Sequence, residues 1–234
     1  MSVAAVVVVH DEGPELTRCV ASLEPQVDEV VVIRNLVDNE RPLGFAANAN
    51  RGIGRTTAPF VVVANPDTEA APDAVEILRQ FAEAHSRCGI AGPALVYPDG
   101  SPQASRRRFP TVRGTLVRRT PLRRVLDAER HFYEDSPGEP VEADWLLGAF
   151  LLLRREMLDE LGGFDESFRL YGEDIDLAYR AKQAGWERWY VPAARVVHAH
   201  AAVTDRTFFT RRTLWHWRGI LRFVRKHPER LRAL

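Results

Sequence analysis

The residues best suited to chemistry in this chain are acids placed next to apolar segments. Asp67 follows the apolar run Phe60–Ala64, and the turn-forming pair Asn65-Pro66 stands between them. A short run of mostly β-branched residues predicts a strand buried on both faces. The carboxylate of Asp67 is then expected just beyond the strand's C-terminal end, where open α/β sheets bind their ligands. It serves there either as a metal ligand or as a helix cap, and this stretch alone favours a cap for a helix near Ala71-Pro72.

A second group of candidate residues lies much further along the chain. Glu173 and Asp174 stand at the start of a helix-forming segment, and His198 ends an apolar stretch. Acids are favoured at helix starts by the helix dipole, so capping is the ordinary explanation for Asp174. A histidine at a strand end is more often structural. Beside Asp67, however, His198 would be a suitable metal ligand, with His200 the weaker candidate.

The elements that must position these residues alternate between strands and helices. The apolar run Val3–Val9 predicts a buried first strand, Pro14 suits the first turn of a helix, and Asp28–Ile33 predicts a second strand. This order is by default a right-handed parallel βαβ unit. The later predicted elements are a strand at Phe60–Ala64, a helix from Pro72 to about Ala84, strands at Ile90–Tyr97 and Phe150–Leu153, a helix from Glu173 to Gly185, and short strands at Trp189–Val191 and Arg195–His198.

The segment Leu43–Gly54 is rich in alanine, asparagine and glycine and includes Gly44, Asn48 and Asn50. Small residues let a backbone approach a ligand closely, or they let a helix pack tightly on a sheet. The sequence contains neither Gly-x-Gly-x-x-Gly after the first strand nor a Gly-Lys-Ser/Thr loop. A bound diphosphate would therefore need another source of positive charge, such as a divalent cation held by Asp67.

The composition is that of an ordinary soluble protein. The 234 residues are 45% hydrophobic, and the formal net charge of zero conceals two basic stretches, Arg106–Arg130 and Arg206–Arg232. No apolar run approaches the ~20 residues that cross a bilayer, and the N-terminus lacks the basic region of a signal peptide. Cys19 lies on an apolar helical stripe, which favours a buried free thiol. We therefore expect a cytoplasmic protein, with no nucleic-acid partner.

Taken in order, the motifs of this chain resemble glycosyltransferase family 2, and most of all its rhamnosyltransferase-like branch. Each motif alone is weak, but the ordered set is specific and covers about residues 3 to 200. The motifs that carry the resemblance are the N-terminal apolar strand, Gly44-Phe45 with Asn50-x-Gly52, Asn65-Pro66-Asp67-Thr68, Trp145 with Gly148-Ala149, Gly162-Gly163-Phe164-Asp165, Gly172-Glu173-Asp174-x-Asp176-Leu177 and His198.

The resemblance implies a GT-A fold, a Rossmann-like α/β domain whose mostly parallel central sheet is flanked by helices. It implies a catalytic domain at residues 1–205, with a nucleotide-sugar-binding half at 1–100 and an acceptor-binding half at 101–205, followed by a basic amphipathic helix at 206–234. The implied reaction is an inverting transfer of a sugar from a nucleotide-diphosphate donor, with Mg²⁺ or Mn²⁺. The acceptor would be a glycan, a polyprenyl-linked molecule or a small molecule.

The resemblance also assigns roles to individual residues. Asp174 matches the catalytic base, with Glu173 beside it, while Asp67 and His198 match the groups that approach the metal. Trp145, Gly148 and Ala149 match the loop that lines the sugar and the acceptor. The residues expected to bind the donor are Val9, His10, Glu12, Arg34, Asp38, Gly44, Asn48, Asn50, Asn65 and Asp67. In an inverting displacement, one carboxylate takes the acceptor's proton while a cation on the opposite side stabilises the leaving pyrophosphate.

Two positions depart from the family pattern. Arg34 stands where the family usually has an acid that reads the nucleobase, and a guanidinium cannot accept a hydrogen bond from a pyrimidine N–H. Asp38 is the candidate substitute. Asn65 stands where many members carry an acid. These departures motivate one alternative, a degenerate family member that acts as a binding or scaffold subunit. A second alternative, a sugar nucleotidyltransferase, needs a Gly-x-Gly-x-Arg loop after the first strand, which this chain lacks.

The C-terminal segment Thr207–Arg232 mixes aromatic and aliphatic residues with arginines. Such a basic amphipathic helix either lies on an anionic membrane surface, here the inner face of the membrane through Arg211–Arg232, or packs its apolar stripe on the catalytic domain. Packing is the favoured interpretation. The Gln-x-x-Arg-Trp motif and the membrane spans of processive synthases do not occur, so we expect one sugar to be transferred per encounter.

Overall fold

The computed structural model describes residues 1–10, 13–110, 138–168, 170–199 and 211–232, and the side chains of these residues except those at 211–216 and 231–232. Glu12 and His200, named above, lie outside the described residues, as does the 206–210 part of the predicted C-terminal helix. The helices are α1 Pro14–Leu23, α2 Phe45–Ile53, α3 Ala74–Ala84, α4 Arg155–Leu161, α5 Glu173–Gln183 and α6 Arg211–Lys226. The strands are β1 Val3–Val9, β2 Glu29–Arg34, β3 Phe60–Ala64, β4 Thr68–Ala70, β5 Cys88–Val96, β6 Pro102–Gln103, β7 Arg106–Arg107, β8 Val141–Glu142, β9 Trp145–Leu146, β10 Phe150–Arg154 and β11 Glu187–His198.

Within the described residues the main sheet has nine strands, seven of which follow the order β2-β1-β3-β10-β5-β11-β4, while β6 pairs with β5 and β8 pairs with β11. Strands β2, β1 and β3 are parallel neighbours, and so are β5 and β11. Strand β10 runs antiparallel to both β3 and β5, so β5 and β11 point in the same direction as the first three strands. The C-terminal ends of β1, β2, β3, β5 and β11 therefore meet at one edge of the sheet, and β10 begins at that edge.

Helices cover both faces of the sheet, which explains why β1 and β3 are apolar and buried along their whole length. Alternate residues of β1 face opposite sides: Val7 belongs to a core cluster with Cys19 of α1 and Leu78 of α3, while Val6 belongs to a cluster with Ala49 of α2. Two layers of helix around a mostly parallel sheet form a three-layer α/β domain.

The packing of α2 on the sheet requires a glycine at position 52. A Cβ atom at Gly52 would overlap Cγ1 of Val6, so helix α2 lies close against β1 only because this position has no side chain. Of the two explanations for the small residues of α2, close packing on the sheet accounts for Gly52.

Two sequence predictions about local structure are wrong. Trp189–Val191 and Arg195–His198 are not separate strands but parts of β11, which passes Pro192 with a register irregularity between Val191 and Arg195. A proline and two alanines interrupt the apolar pattern, while pairing with β5 on both sides of the irregularity keeps the strand continuous. Asp67 does not cap a helix, because it is followed by β4, and the residue at the N-cap of α3 is Asp73.

The apolar face of α6 packs on the rest of the protein, as the favoured interpretation predicts. Phe223 is fully buried, with its ring 5.6 Å from that of Tyr179 on α5 and 6.5 Å from that of Phe109. Among the described residues, no helix is long and apolar enough to cross a membrane. Cys19 and Cys88 are both buried free thiols, which confirms the prediction for Cys19.

Candidate active site

The predicted site residues collect at the sheet edge where the parallel strands end. Asn65, just beyond β3, donates its backbone N–H to the carbonyl of Ala149, just before β10, at 2.8 Å. The neighbouring residue Gly148 donates its N–H to Oδ2 of Asp174 at 3.1 Å. A short path of hydrogen bonds therefore joins the turn that carries Asp67 to the helix start that carries Asp174.

Asp67 and His198 lie side by side because β4 pairs with the end of β11. His198 is opposite Thr68 in this antiparallel ladder, and Ala199 donates its N–H to the carbonyl of Asp67 at 2.9 Å. Nε2 of His198 lies 3.5 Å from Oδ2 of Asp67. On the other side of the ring, Nδ1 lies 3.0 Å from Oε1 of Gln103, and an Nδ1–H that donates there leaves the lone pair of Nε2 facing Asp67.

This pair fits a divalent cation that the protein holds only in part. A carboxylate oxygen and an imidazole nitrogen are both suitable ligands for Mn²⁺, and an oxygen ligand also suits Mg²⁺. Within the described residues, no group of three or more His, Cys, Asp or Glu side chains could hold a metal alone. Phosphate oxygens of a donor and water would have to complete the coordination, as is usual for Mg²⁺ at nucleotide sites.

The loop predicted to line the sugar and the acceptor is fixed to a neighbouring strand. Trp145 is in β9, which pairs antiparallel with β7, and its Nε1–H donates to the carbonyl of Arg108 at 2.8 Å. Leu147 donates its N–H to the carbonyl of Ser105 at 2.9 Å. A Cβ atom at Gly148 would lie 3.2 Å from the carboxylate of Asp174, so this glycine lets the loop backbone approach the acid closely.

Asp174 is not the N-cap of α5. The N-cap residue is Gly172, and Asp174 lies in the first turn, where its Oδ1 accepts the N–H of Ile175 at 2.8 Å. Its side chain remains partly accessible. Burial raises the pKa of Asp174, while the N–H groups of Gly148 and Ile175 and the charge of Arg107 act in the opposite direction. Asp174 is therefore a partly accessible acid whose anion is stabilised from several sides.

Glu173, by contrast, is an acid that holds its proton. It is 8% exposed, and its Oε2 has no hydrogen-bond partner among the described residues. Burial, followed by the charge of Asp174, raises the pKa of Glu173 to about 8. Because two adjacent carboxylates in a poorly solvated place do not readily ionise together, Glu173 stays neutral at neutral pH, and Asp174, which accepts two backbone N–H groups, is the acid of the pair that ionises first.

Arg107 is a site residue that the sequence reasoning missed. Its guanidinium lies 5.3 Å from the centre of the Trp145 ring, and its charge lowers the pKa of Asp174. The run Arg106-Arg107-Arg108 was visible in the sequence as a basic strand or loop, but nothing in that run indicated pairing with the Trp145 segment. Gln103, which faces His198, carried no sequence signal either.

The predicted donor residues divide into an accessible group and a supporting group. His10 follows β1 and accepts a hydrogen bond at Nδ1 from the amide of Asn35 at 2.6 Å. Oδ2 of Asp38 accepts a hydrogen bond from the N–H of Arg34 at 2.6 Å, and this bond closes the turn after β2. Gly44 is the N-cap of α2 and is partly exposed, as are Arg34 and Asp38.

Asn48 and Val9 belong to the supporting group. Asn48 is fully buried, and its amide nitrogen donates to Oδ1 of Asn35 at 2.9 Å and to the carbonyl of Gly44 at 3.1 Å. The side chain of Val9 is 1% exposed, and its carbonyl accepts the N–H of Asn35 at 2.8 Å. Both residues therefore hold the loop that follows β2, and neither presents a side chain to a ligand.

Asn50 also supports the site through a loop. Its Oδ1 accepts the N–H of Phe164 at 2.9 Å, and its Nδ2 donates to the carbonyl of Phe164 at 2.8 Å and to the Glu166 carboxylate at 3.1 Å. A Cβ atom at Gly163, whose φ is +71°, would lie 2.5 Å from the same Oδ1. Asn50 therefore joins α2 to the turn that leads toward α5. The hydrogen bonds described for its side chain are all to other residues of the protein.

The chain is similar to known glycosyltransferases in sequence and in fold. The chain matches the model of the family described as "Glycosyltransferase like family 2" over residues 1–217. An N-acetylglucosaminyl-diphospho-decaprenol L-rhamnosyltransferase of Mycobacterium tuberculosis is 32% identical over 242 residues, covering 86% of this chain and 77% of the relative. The rhamnosyltransferase WbbL of Escherichia coli is 37% identical over 81 residues, covering 35% of this chain and 30% of its own length.

Two solved structures share the fold. GalNAc-T7 bound to UDP, GalNAc and Mn²⁺ superposes with a TM-score of 0.69 at 18% identity, covering 96% of this chain and 48% of that one, so this chain spans about half of its length. The mannosyltransferase PcManGT from Pyrobaculum calidifontis, in complex with GDP-Man and Mn²⁺, gives a TM-score of 0.61 at 18% identity, covering 94% and 64%. The sheet and its helices therefore have the GT-A arrangement that the resemblance implied. With the family match over residues 1–217, this chain is a glycosyltransferase and belongs to glycosyltransferase family 2.

Proposed function

We propose that this chain is an inverting, non-processive glycosyltransferase that moves a sugar from a nucleotide-diphosphate donor to an acceptor hydroxyl. One observation carries the proposal: the Asp67–His198 pair and Asp174 stand at the same sheet edge, joined through Asn65, Ala149 and Gly148. A deoxyhexose such as rhamnose is the proposed sugar, because the named relatives are rhamnosyltransferases. We retain residues 1–100 as the proposed donor half and 101–205 as the proposed acceptor half.

Asp174 takes the proton of the attacking hydroxyl in this proposal. It is partly accessible, it carries the negative charge of the acid pair, and its two backbone hydrogen bonds hold the carboxylate in a fixed orientation. Glu173 keeps its own proton and so prevents a second negative charge from building up beside the base. The hydroxyl oxygen would attack the anomeric carbon from the face opposite the diphosphate, so that the bond to the acceptor forms as the bond to the diphosphate breaks.

Asp67 and His198 are the proposed protein ligands of a Mg²⁺ or Mn²⁺ ion that also contacts the donor diphosphate. When bound, such an ion neutralises charge on the leaving pyrophosphate. The nucleotide would be surrounded by His10, Arg34, Asp38, Gly44 and Asn65. Glu12 is also proposed to bind the nucleotide. Asn48, Asn50 and Val9 would act by holding the surrounding loops in place.

The proposed acceptor side is formed by Trp145, Gly148 and Ala149 together with Arg107. The Mycobacterium tuberculosis relative is named for an acceptor that is a diphosphate-linked decaprenol. A guanidinium beside an aromatic ring suits a substrate that presents a sugar ring next to a phosphate, because Arg binds phosphate oxygens and Trp stacks on apolar sugar faces. A polyprenyl-diphosphate-linked sugar is therefore the proposed acceptor.

We also propose that α6, as part of the separate C-terminal segment 206–234, touches an anionic membrane from the cytoplasmic side. Arg218, Leu221, Arg222 and Arg225 are exposed and recur at helical spacing on one side of α6, and Leu221 is 51% exposed. This face is separate from the buried face that carries Phe223. An enzyme that uses a lipid-linked acceptor would gain from such a contact, since it would spend more time near its substrate.

The proposal is tested by sugar transfer and donor hydrolysis with uridine-, thymidine- and guanosine-diphosphate sugars, with Mn²⁺ and with EDTA. We expect metal-dependent turnover, and we expect Asp174→Asn to lower kcat at least ~100-fold, the usual scale for loss of a general base. Donor binding by the variant, measured as a Mn²⁺-dependent thermal shift, should be unchanged. Full activity of Asp174→Asn would remove this residue from the base role, and donor binding without turnover by the wild type would favour a scaffold.

A further inference from the structure

The C-terminal helix reaches back to the helix that carries the base. Asp176, two residues after Asp174 on α5, is fully buried. Its carboxylate accepts hydrogen bonds from Nε of Arg180 at 2.7 Å, from Nζ of Lys226 at 3.0 Å and from Nε2 of His227 at 2.8 Å. Two of these three donors come from the end of α6 and the residue that follows it.

These contacts stabilise one position of α5 relative to α6. A buried carboxylate without donors is very unfavourable, so Asp176 and the groups around it favour one arrangement of the two helices. Lys226 also bonds to Oδ2 of Asp165 at 2.6 Å. Burial alone would raise the pKa of Asp165, but the hydrogen bonds from Lys226 and Ser167 bring it well below its usual range.

A second contact lies directly before the acid pair. Tyr171 has a φ of +68°, which makes it the one non-glycine residue with positive φ among those the structure describes, and Gly172 follows at +99°. This left-handed turn delivers the chain into Glu173 and Asp174. A Cβ atom at Gly219 of α6 would overlap the carbonyl oxygen of Tyr171, so α6 passes directly over the turn.

From these two contacts we infer that α6 is a positioning element for the catalytic base. Lys226 and His227 fix the first turns of α5 through Asp176, and Gly219 lets α6 cover the Tyr171-Gly172 turn. The inference rests on the proposed role of Asp174. It assigns to the C-terminal segment a part in the chemical step and none in binding the donor. The predicted donor contacts lie on or just after β1, β2 and β3, on α2 and at the end of β11.

The test compares variants of His227 in steady-state transfer and hydrolysis with the nucleotide-sugar panel and Mn²⁺. His227→Leu should lower kcat by at least ~10-fold, because displacements of about 1 Å at a reacting group cost up to ~100-fold in rate. The donor KM and the Mn²⁺-dependent thermal shift should change less than twofold. His227→Gln, which keeps a donor for Asp176, should recover most of kcat, and Arg55→Leu, at an exposed position just after α2, should match the wild type.

Unchanged kcat in His227→Leu would overturn the inference, as would a loss that Gln does not recover. If His227→Leu does not fold, Gly219→Ala provides the second measurement, since its methyl group displaces α6 from Tyr171 without removing a polar group. Gly219→Ala must then lower kcat while the donor KM stays unchanged. A rise in the donor KM by the same factor as the fall in kcat would contradict the inference. Failure of the proposed function is distinguishable, because it would appear as full activity of Asp174→Asn.

Discussion

At the scale of single residues, the site separates two adjacent acids by what surrounds each of them. Asp174 receives two backbone N–H groups and the field of Arg107, whereas Oε2 of Glu173 receives no hydrogen bond from the described residues. One acid therefore ionises and the other stays protonated, although they are neighbours in sequence. Because Glu173 is neutral at neutral pH, no second negative charge raises the pKa of Asp174 further, which favours the ionised form that the proposed base needs.

Arg107 should set the pH range in which Asp174 works. Its charge lowers the pKa of Asp174, so removing the charge in Arg107→Met should raise that pKa. A base must be ionised to act, and the acid limb of the kcat profile should therefore move to higher pH. Arg108→Met, which removes an exposed charge next in sequence, serves as the control. An unmoved acid limb in Arg107→Met would contradict the electrostatic role.

Glu173 should make the protein less stable as the pH rises. Its pKa is raised from 4.5 to about 8 by burial and by the charge of Asp174, so between these values the folded state binds a proton that the unfolded state has lost. The free energy of unfolding then falls through this window by up to about 1.4 kcal/mol per pH unit. Glu173→Gln should reduce that fall, measured by urea denaturation at pH 5 and pH 8. Glu156→Gln, at an exposed position, is the matched control, and equal slopes in all three proteins would refute the assignment.

At the scale of elements, the site depends on loops that are tied to each other rather than on one rigid segment. Helix α2 holds the turn at Phe164 through Asn50, β9 holds Trp145 beside β7, and β4 holds Asp67 beside His198. Each tie joins chain segments that are distant in sequence. The acids are therefore placed by the tertiary fold, and changes in these ties should act on the site from a distance.

The contribution of one such tie to stability can be measured at Asn50. Asn50→Ala removes both hydrogen bonds to the backbone of Phe164 and leaves those backbone groups without their partner. We expect a loss of roughly 1–3 kcal/mol in the free energy of unfolding, the usual scale for unsatisfied buried polar groups. Arg55→Ala, at an exposed position just after α2, should change stability little. Equal stabilities of the two variants by chemical denaturation would show that the Asn50 contacts are not important for the fold.

The sequence predicted the regular elements well and the connections between them poorly. β1, β3 and β10 are continuous apolar runs, so local pattern was enough to find them. β11 was split in two because Pro192 and its neighbours break the pattern, while the pairing with β5 that keeps it continuous is non-local. For the same reason, the stretch around Asp67 taken alone favours a helix cap, since β4, which follows Asp67, forms only through pairing with β11. The sequence reasoning missed Arg107, Gln103 and His227, because each contacts a residue that is far away in the chain.

At the scale of the whole molecule, the order of the strands holds the proposed donor and acceptor halves in one sheet. β10 comes from the second half of the chain but lies between β3 and β5 of the first half. The two halves therefore share one hydrogen-bonded sheet and cannot separate about a hinge without breaking strands. The proposed metal ligands Asp67 and His198, near the ends of β3 and β11, and the proposed base Asp174, held by the N–H of Gly148, then keep a constant separation. A constant separation suits the single in-line displacement that we propose.

The distribution of charge should direct the molecule to anionic membranes even though its formal net charge is zero. Attraction must then come from one face, and we expect the exposed face of α6, with Arg218, Arg222 and Arg225, to supply it at about 1 kcal/mol per arginine. Sedimentation with phosphatidylglycerol vesicles should therefore weaken at least ~10-fold in Arg222→Glu/Arg225→Glu and with rising salt. Arg41→Glu/Arg55→Glu changes the net charge equally at two other exposed positions and should retain most of the binding. Equal losses in the two double variants would mean that overall charge, and not the α6 face, determines membrane contact.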